Sequence, residues 1–198
     1  MYILGITGGI GAGKSTILTL LEEKHHAFVL RADETGHQVM EPGEVCYDAV
    51  LNLLGSDVCD PDGRIDRKKA AAILFRDDEK LERMNRIIHP AVHRRILEQL
   101  EAEREKGRKL AAVEAALLLQ AGYQEFCDEI WVIRCDRETR IQRLMESRGY
   151  SREKCMDVLK AQPTDDWYRQ QADFVLDNSG SPSEAARQIE ARLCVMKL

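Results

Sequence analysis

Residues 8–15 read GGIGAGKS and follow directly on the apolar run YILGIT (2–7). A short buried strand that breaks into four glycines gives successive backbone N–H groups room to turn inward around one anion. A helix opening at Ser15 adds its positive end to the same place. Gly8, four residues, then Gly13-Lys14-Ser15 matches the GxxxxGK[ST] pattern. In that pattern the lysine reaches the β- and γ-phosphates of a nucleoside triphosphate and the hydroxyl ligates Mg²⁺. The expected phosphate contacts are Gly11, Ala12, Gly13, Lys14, Ser15 and Thr16, with Ser15 also on the metal. A nucleoside triphosphate, ATP or GTP, with Mg²⁺ is what this loop implies.

Strand candidates recur along the chain: AFVLRAD (27–33), LAAVEAAL (110–117), EIWVIRC (129–135) and FVLDN (174–178). Each is short, apolar and rich in branched or aromatic residues, as strands covered on both faces are. Charged segments with helical spacing lie between them, the first at 15–24. Strands alternating with helices predict an α/β fold, a five-stranded parallel sheet of P-loop NTPase type flanked by helices. The stretch between the second and third strands is too long for one crossover. It predicts an inserted helical lobe, turning at Glu41-Pro42-Gly43 and Asp60-Pro61-Asp62-Gly63. The expected layout is one kinase domain over 1–198. Its core is at about 1–35, 107–136 and 173–198, with the insertion at about 36–106 and a helical lid at about 137–172.

No NKxD-like base-reading sequence of a GTPase follows Asn52, Asn85 or Asn178, and no LSGGQ-like transporter signature occurs. Small-molecule and nucleotide kinases remain, and these need an acceptor site. Residues 64–95 hold ten Lys or Arg against five acids, a local charge of +5 in a chain of net −5. The excess suits an anionic acceptor. It is equally open to a solvated helix laced by pairs such as Glu79–Arg83 and Glu82–Arg86. Arg137, Arg140 and Arg143 recur every third residue, and guanidinium groups suit charge on a transferring phosphoryl group. Asp33, read as the end of the second strand, has two readings: it orients or deprotonates an acceptor hydroxyl, or it caps the helix that follows. Glu114 is either an acid near Mg²⁺ or a buried structural carboxylate. His89-Pro90 falls in a helical pattern, where proline is expected to kink or end the helix. Trp131 reads as core.

The bulk numbers exclude other classes. A net charge of −5 argues against general affinity for nucleic acid or anionic membranes, and no run approaches the ~18 apolar residues of a membrane span. The six cysteines show no CxxC or His-linked metal spacing, which predicts free thiols in a reducing, cytoplasmic setting. The start lacks the basic n-region of a signal peptide. Nothing in the sequence fixes an oligomeric state.

Taken together, TGGIGAGKST (7–16), AD (32–33) with HQVMEPG (37–43), IIHP (87–90), AALLLQAGY (115–123), CDEIWVIRCDRETRIQRLMESRG (127–149), AQ (161–162) and VLDNSG (175–180) resemble the dephospho-CoA kinase family over nearly the whole chain. The resemblance implies ATP-dependent phosphorylation of the ribose 3′-hydroxyl of dephospho-CoA, the last step of coenzyme A synthesis. It implies Asp33 as the catalytic carboxylate, Arg140 as a catalytic arginine beside Lys14, Asn178 near the adenine of ATP, and Asp33 and His89 in the acceptor cleft. Three positions depart from the family pattern. Arg31 stands two residues before Asp33 where an acid is usual, Ala116 where a proline is usual, and Gln120 where an acid is usual. Other readings are a P-loop kinase for a nucleoside or small hydroxy acid, and a non-catalytic nucleotide-binding regulator.

Overall fold

A computed structural model describes residues 1–198 apart from Leu117, Gln120 and Leu198, so the Gln120 departure lies outside the described residues. The chain divides into two compact units, Met1–Leu30 with Glu103–Leu198, and Arg31–Ala102.

The first unit is built on a five-stranded sheet of β1 (Tyr2–Thr7), β2 (Phe28–Arg31), β3 (Leu110–Glu114), β4 (Glu129–Arg134) and β5 (Phe174–Asp177), in the order β2-β3-β1-β4-β5. The β1–β3, β1–β4 and β4–β5 pairings are parallel. The parallel arrangement and the helices around it agree with the α/β reading. Strand β1 lies in the middle, and its register sets Ile6 opposite Glu114 and Thr7 opposite Val132. The carboxyl end of β1, from which the glycine loop departs, is therefore level with Glu114.

Helices α1 (Lys14–His25) and α9 (Pro182–Met196) share one core with the sheet. Ile17, Leu18 and Leu21 of α1 and Ile189 and Leu193 of α9 pack with Leu4, Ile6, Trp131 and Leu176. Helix α9 starts on a capping box, Ser181 with Glu184, and carries Pro182 in its first turn, which satisfies its orphan N–H groups. From α9, the Gln188 amide pairs with both backbone groups of Asp177, its Nε2 donating to the carbonyl at 2.8 Å and its Oε1 accepting from the N–H at 3.0 Å. That pairing covers the end of the edge strand β5. Three short helices, α6 (Arg137–Arg148), α7 (Arg152–Lys160) and α8 (Asp165–Gln170), fill the stretch between β4 and β5. Ile141, Leu144 and Cys155 form a small separate core there.

The second unit is helical. It contains α2 (Ala32–Gln38), α3 (Tyr47–Leu54), a 3-10 turn (Ser56–Val58), α4 (Arg67–Leu74) and most of α5 (Asp78–Glu105). Both expected turns form. Glu44 N–H donates to the Glu41 carbonyl at 2.9 Å around Gly43, and the Asp60 carboxylate accepts from the N–H groups of Asp62 and Arg64. Asp66 caps α4.

One local expectation is corrected, and of the two outcomes expected at Pro90 the ending of the helix is excluded. Strand β2 stops at Arg31, and Ala32 and Asp33 already belong to α2. An acidic pair, Asp33-Glu34, in a first turn is favoured by the helix dipole, and this outweighs continuation of the strand. Helix α5 runs through Pro90 without ending. Proline removes one N–H bond of the ladder, while the buried stripe Met84, Val92, Ile96 and Leu100 holds both sides of the helix.

Among the described residues no helix is long and apolar enough to cross a membrane. The six cysteines are free, and burial pushes the Cys127 thiol up to about 12.

Trp131 is fully buried at the middle of the sheet core and meets Phe174 edge-on at 5.0 Å. Replacing it with alanine is expected to cost about 3–5 kcal/mol, measured as the shift of the urea denaturation midpoint. A loss below about 1 kcal/mol would remove Trp131 from the core account.

Candidate active site

The glycine loop connects β1 to α1, and its shape depends on positions without side chains. Gly8 has φ 142°, and a β-carbon there would lie 2.3 Å from the Ile133 carbonyl oxygen of β4. Gly13 has φ 87° and is the residue before α1, where a β-carbon would lie 2.2 Å from Asn178 Nδ2. Both positions therefore admit glycine alone, for backbone and for contact reasons.

The carbonyls of the loop are held by side chains from distant parts of the same unit. Lys14 Nζ donates to the Gly8 carbonyl at 3.0 Å and lies 3.5 Å from Glu114 Oε1. Arg140 Nε donates to the Ile10 carbonyl at 2.9 Å. The Ala12 carbonyl accepts from Asn178 Nδ2 at 2.9 Å and from Arg143 Nη1 at 3.4 Å. Arg143 Nη2 in turn donates to the Asn178 carbonyl at 3.0 Å. The N–H groups of Gly11, Gly13, Lys14 and Ser15 donate to no group among the described residues. With its carbonyls taken and these N–H groups directed elsewhere, the loop is a cradle for an anion.

Sequence reasoning named Lys14, Arg140 and Asn178, and the structure brings all three to the loop. Arg140 is largely buried, and burial lowers its guanidinium from the ordinary value while Asp165, 3.8 Å away, opposes the shift. An arginine stays protonated throughout. Asn178 is buried, and its amide nitrogen is committed to loop carbonyls.

Gln162 carried no role in the sequence reading. Its Oε1 accepts both from the Ile10 N–H at 2.9 Å and from Arg140 Nη2 at 2.8 Å, which fixes the arginine to the loop. The partners are 152 and 22 residues away, and only a motif match at AQ (161–162) marked the position. Ile10 also packs against the small core of α6 and α7.

Ser15 and Thr16 are exposed in the first turn of α1. A hydroxyl oxygen suits a hard cation, and Mg²⁺ prefers substrate phosphates and waters over an all-protein cage. The described residues hold no group of three or more His, Cys, Asp or Glu that could hold a metal ion.

In the helical unit, Asp33 is an exposed residue in the first turn of α2. The residue before the helix is Arg31, with no side-chain cap, so the capping reading of Asp33 does not hold. Arg31 itself lies 3.8 Å from Glu34. His89 is exposed on α5 with no hydrogen bond or ion pair among the described residues.

Gly13→Ala is expected to weaken ATP binding about tenfold, since a non-glycine residue in the left-handed region costs roughly 1–2 kcal/mol. Isothermal titration of ATP measures it, and an unchanged dissociation constant would mean that the loop does not hold the nucleotide.

The family profile and the curated relatives agree on one family. The dephospho-CoA kinase family profile matches residues 2–184. A dephospho-CoA kinase of Geobacter sulfurreducens is 37% identical over 190 residues, which is 96% of this chain and 96% of that protein. Among solved structures, a Thermus thermophilus protein superposes with a TM-score of 0.82 at 30% identity, over 98% of this chain and 96% of the other. A dephospho-CoA kinase from Campylobacter jejuni shares the fold, with a TM-score of 0.71 at 22% identity over 96% of both chains. With a glycine cradle held by lysine and arginines, a parallel α/β sheet and a profile match over nearly its full length, the chain belongs to the dephospho-CoA kinase family.

Proposed function

We propose that the protein transfers the γ-phosphoryl group of ATP to the ribose 3′-hydroxyl of dephospho-CoA, releasing coenzyme A and ADP. The observation that carries this reading is the convergence of Lys14, Arg140 and Arg143 on the loop Gly8–Gly13, in a chain of this family. The setting is the cytoplasm, where six free thiols stay reduced.

Phosphoryl transfer passes through a loose transition state, so the protein acts by positioning and by electrostatics. The loop N–H groups and the N-terminus of α1 receive the phosphates of ATP, and Asn178 keeps the end of the loop in register. Lys14 and Arg140 rest on carbonyls and on carboxylates at 3.5 and 3.8 Å. Contacts that long are weak, and a triphosphate displaces them because it brings more charge. The Ser15 hydroxyl would hold Mg²⁺ brought in with ATP, and the metal would supply neutralisation of phosphate charge. The segment of helices α6–α8 and their connections acts as the lid, because it carries Arg140, Arg143 and Gln162. Asp33 orients the acceptor hydroxyl and accepts its proton, and His89 lines the acceptor cleft.

ADP release with Mg²⁺ and ATP is expected to rise strongly with dephospho-CoA and not with uridine or shikimate, and the product is coenzyme A. Stimulation by one of the other acceptors instead would move the protein to a different kinase reaction.

Asp33→Asn is expected to lower turnover by roughly 10²–10⁴-fold, the range for loss of a general base, with ATP binding unchanged by titration. Unaltered turnover in that variant would leave Asp33 as a residue of α2 only.

A further inference from the structure

Gly9 occupies a position that the phosphate-loop pattern leaves open, and its backbone lies outside the left-handed region. Neither the motif nor the chain path asks for glycine there. The reason is spatial. A β-carbon on residue 9 would lie 2.2 Å from Arg140 Nη2 and 3.0 Å from Gln162 Oε1. The arginine and the glutamine are clasped directly over the loop, and the clasp closes over a residue without a side chain.

Two bonds set the arginine. Its Nε donates to the Ile10 carbonyl at 2.9 Å, and its Nη2 donates to Gln162 Oε1 at 2.8 Å. Nε and Nη2 form one side of the planar guanidinium fork, so these bonds fix its rotation as well as its place. The end edge, Nη1 with the second hydrogen of Nη2, is left over. Asp165 at 3.8 Å from Nη1 is its weak counter-ion. That edge carries the paired N–H groups with which a guanidinium grips phosphate oxygens.

Gln162 supplies the fixed point. Its Oε1 accepts from the Ile10 N–H at 2.9 Å as well. Both partners are donors, which fixes the orientation of the amide. A neutral oxygen steers the guanidinium without cancelling its charge. The backbone N–H of Gln162 donates to the Leu159 carbonyl at 3.3 Å, and Leu159 packs on the small core of Ile141 and Leu144. Those two residues belong to α6, the helix that carries Arg140. One piece of packing therefore sets both members of the clasp.

We propose that Gln162 is a positioning residue for phosphoryl transfer: over the bare backbone of Gly9 it holds Arg140 with its end edge toward the transferring group. The inference rests on the role given to Arg140 in the preceding subsection. Rate depends steeply on such placement, since a shift of about 1 Å can cost on the order of 10²-fold. Binding of ATP depends on the loop N–H groups and Lys14, which the clasp does not touch.

Gln162→Met keeps the length of the side chain and removes the acceptor. It is expected to lower kcat by about tenfold or more, with the KM for ATP moved by less than about threefold. Gly9→Ala removes no polar group and is expected to do the same, by pushing Arg140 off its place. An unchanged kcat in either variant overturns the proposal, and so does a rise in KM for ATP with kcat intact. The deciding comparison is the cycle with Arg140→Met. A glutamine that acts through the arginine has nothing left to position in that background, so adding Gln162→Met is expected to lower kcat by less than about twofold further. A full second loss would mean that Gln162 acts on the loop alone. Should Gln162→Met fail to fold, Gly9→Ala takes its place in the cycle.

Orientation is also readable without turnover. In the isotope-labelled protein the Arg140 Nε–H signal, assigned through Arg140→Met, is expected to exchange slowly with solvent and to lose that protection in Gln162→Met. Retained protection in that variant overturns the proposal. Absence of dephospho-CoA-dependent ADP release from the unmodified protein is the separate failure of the kinase reading, and the Nε–H signal then decides by itself whether Gln162 orients Arg140.

Discussion

The backbone of Gly8–Gly13 can exist in its observed shape only because other side chains hold its carbonyls. A loop with left-handed residues at Gly11 and Gly13 has neither a helix nor a sheet ladder to pair its polar groups, and unpaired buried groups are costly. Lys14, Arg140, Arg143 and Asn178 answer that need from outside the loop. Each takes a carbonyl oxygen, and three of the four are cationic. The same contacts therefore do two things at once. They hold the loop in one conformation, and they surround it with positive charge before any phosphate is present.

That arrangement fixes what the neighbouring elements must be. Gly8 lies against the Ile133 carbonyl so closely that β4 must run beside β1, which puts the start of α6 next to the loop as well. The end of β5 delivers Asn178, and Gln188 of α9 secures that strand end from the other side. Gln162 links the Ile10 N–H to Arg140 through one oxygen, so a residue beyond α7 sets the position of an arginine on α6. The order β2-β3-β1-β4-β5 brings these four contributors to the carboxyl end of the central strand, where open parallel sheets bind ligands.

The parts of this that were legible in the sequence are the parts that depend on local chemistry. The phosphate loop, the five strands and the turns at Glu41-Pro42-Gly43 and Asp60–Gly63 are written in residues a few positions apart. Asp33 was legible as a residue of interest but misplaced by two positions. AFVLRAD reads as one apolar run, whereas the acids Asp33 and Glu34 start a helix whose dipole favours them. Pro90 was read as kinking or ending its helix, and the ending is excluded because a helix of 28 residues has a buried stripe on both sides of that one lost hydrogen bond. Gln162 and the hold of Asn178 on Ala12 join residues 152 and 166 positions apart, and no spacing rule reaches that far.

The charge of the helical unit bears on two readings that sequence leaves equal. Of the ten basic residues between Arg64 and Arg95, five have partners. Arg64, Lys80, Arg86 and Arg95 meet Glu41, Asp77, Glu82 and Glu44, and Lys69 donates to two backbone carbonyls. Among the described residues Lys80–Asp77, Arg86–Glu82 and Arg95–Glu98 are short-range pairs of the kind that a solvated face carries. The side chains of Arg67, Lys68, Arg76, Arg83 and Arg94 make no hydrogen bond or ion pair among the described residues. A self-neutralised helix would leave no such remainder. Unpaired guanidinium and ammonium groups in that number raise the local concentration of anions, and a dinucleotide-like acceptor with a pyrophosphate is an anion whose charge lies away from its reacting hydroxyl. The excess therefore suits the anionic acceptor of the proposed reaction, and the loop, with its own cations already arranged, suits the donor.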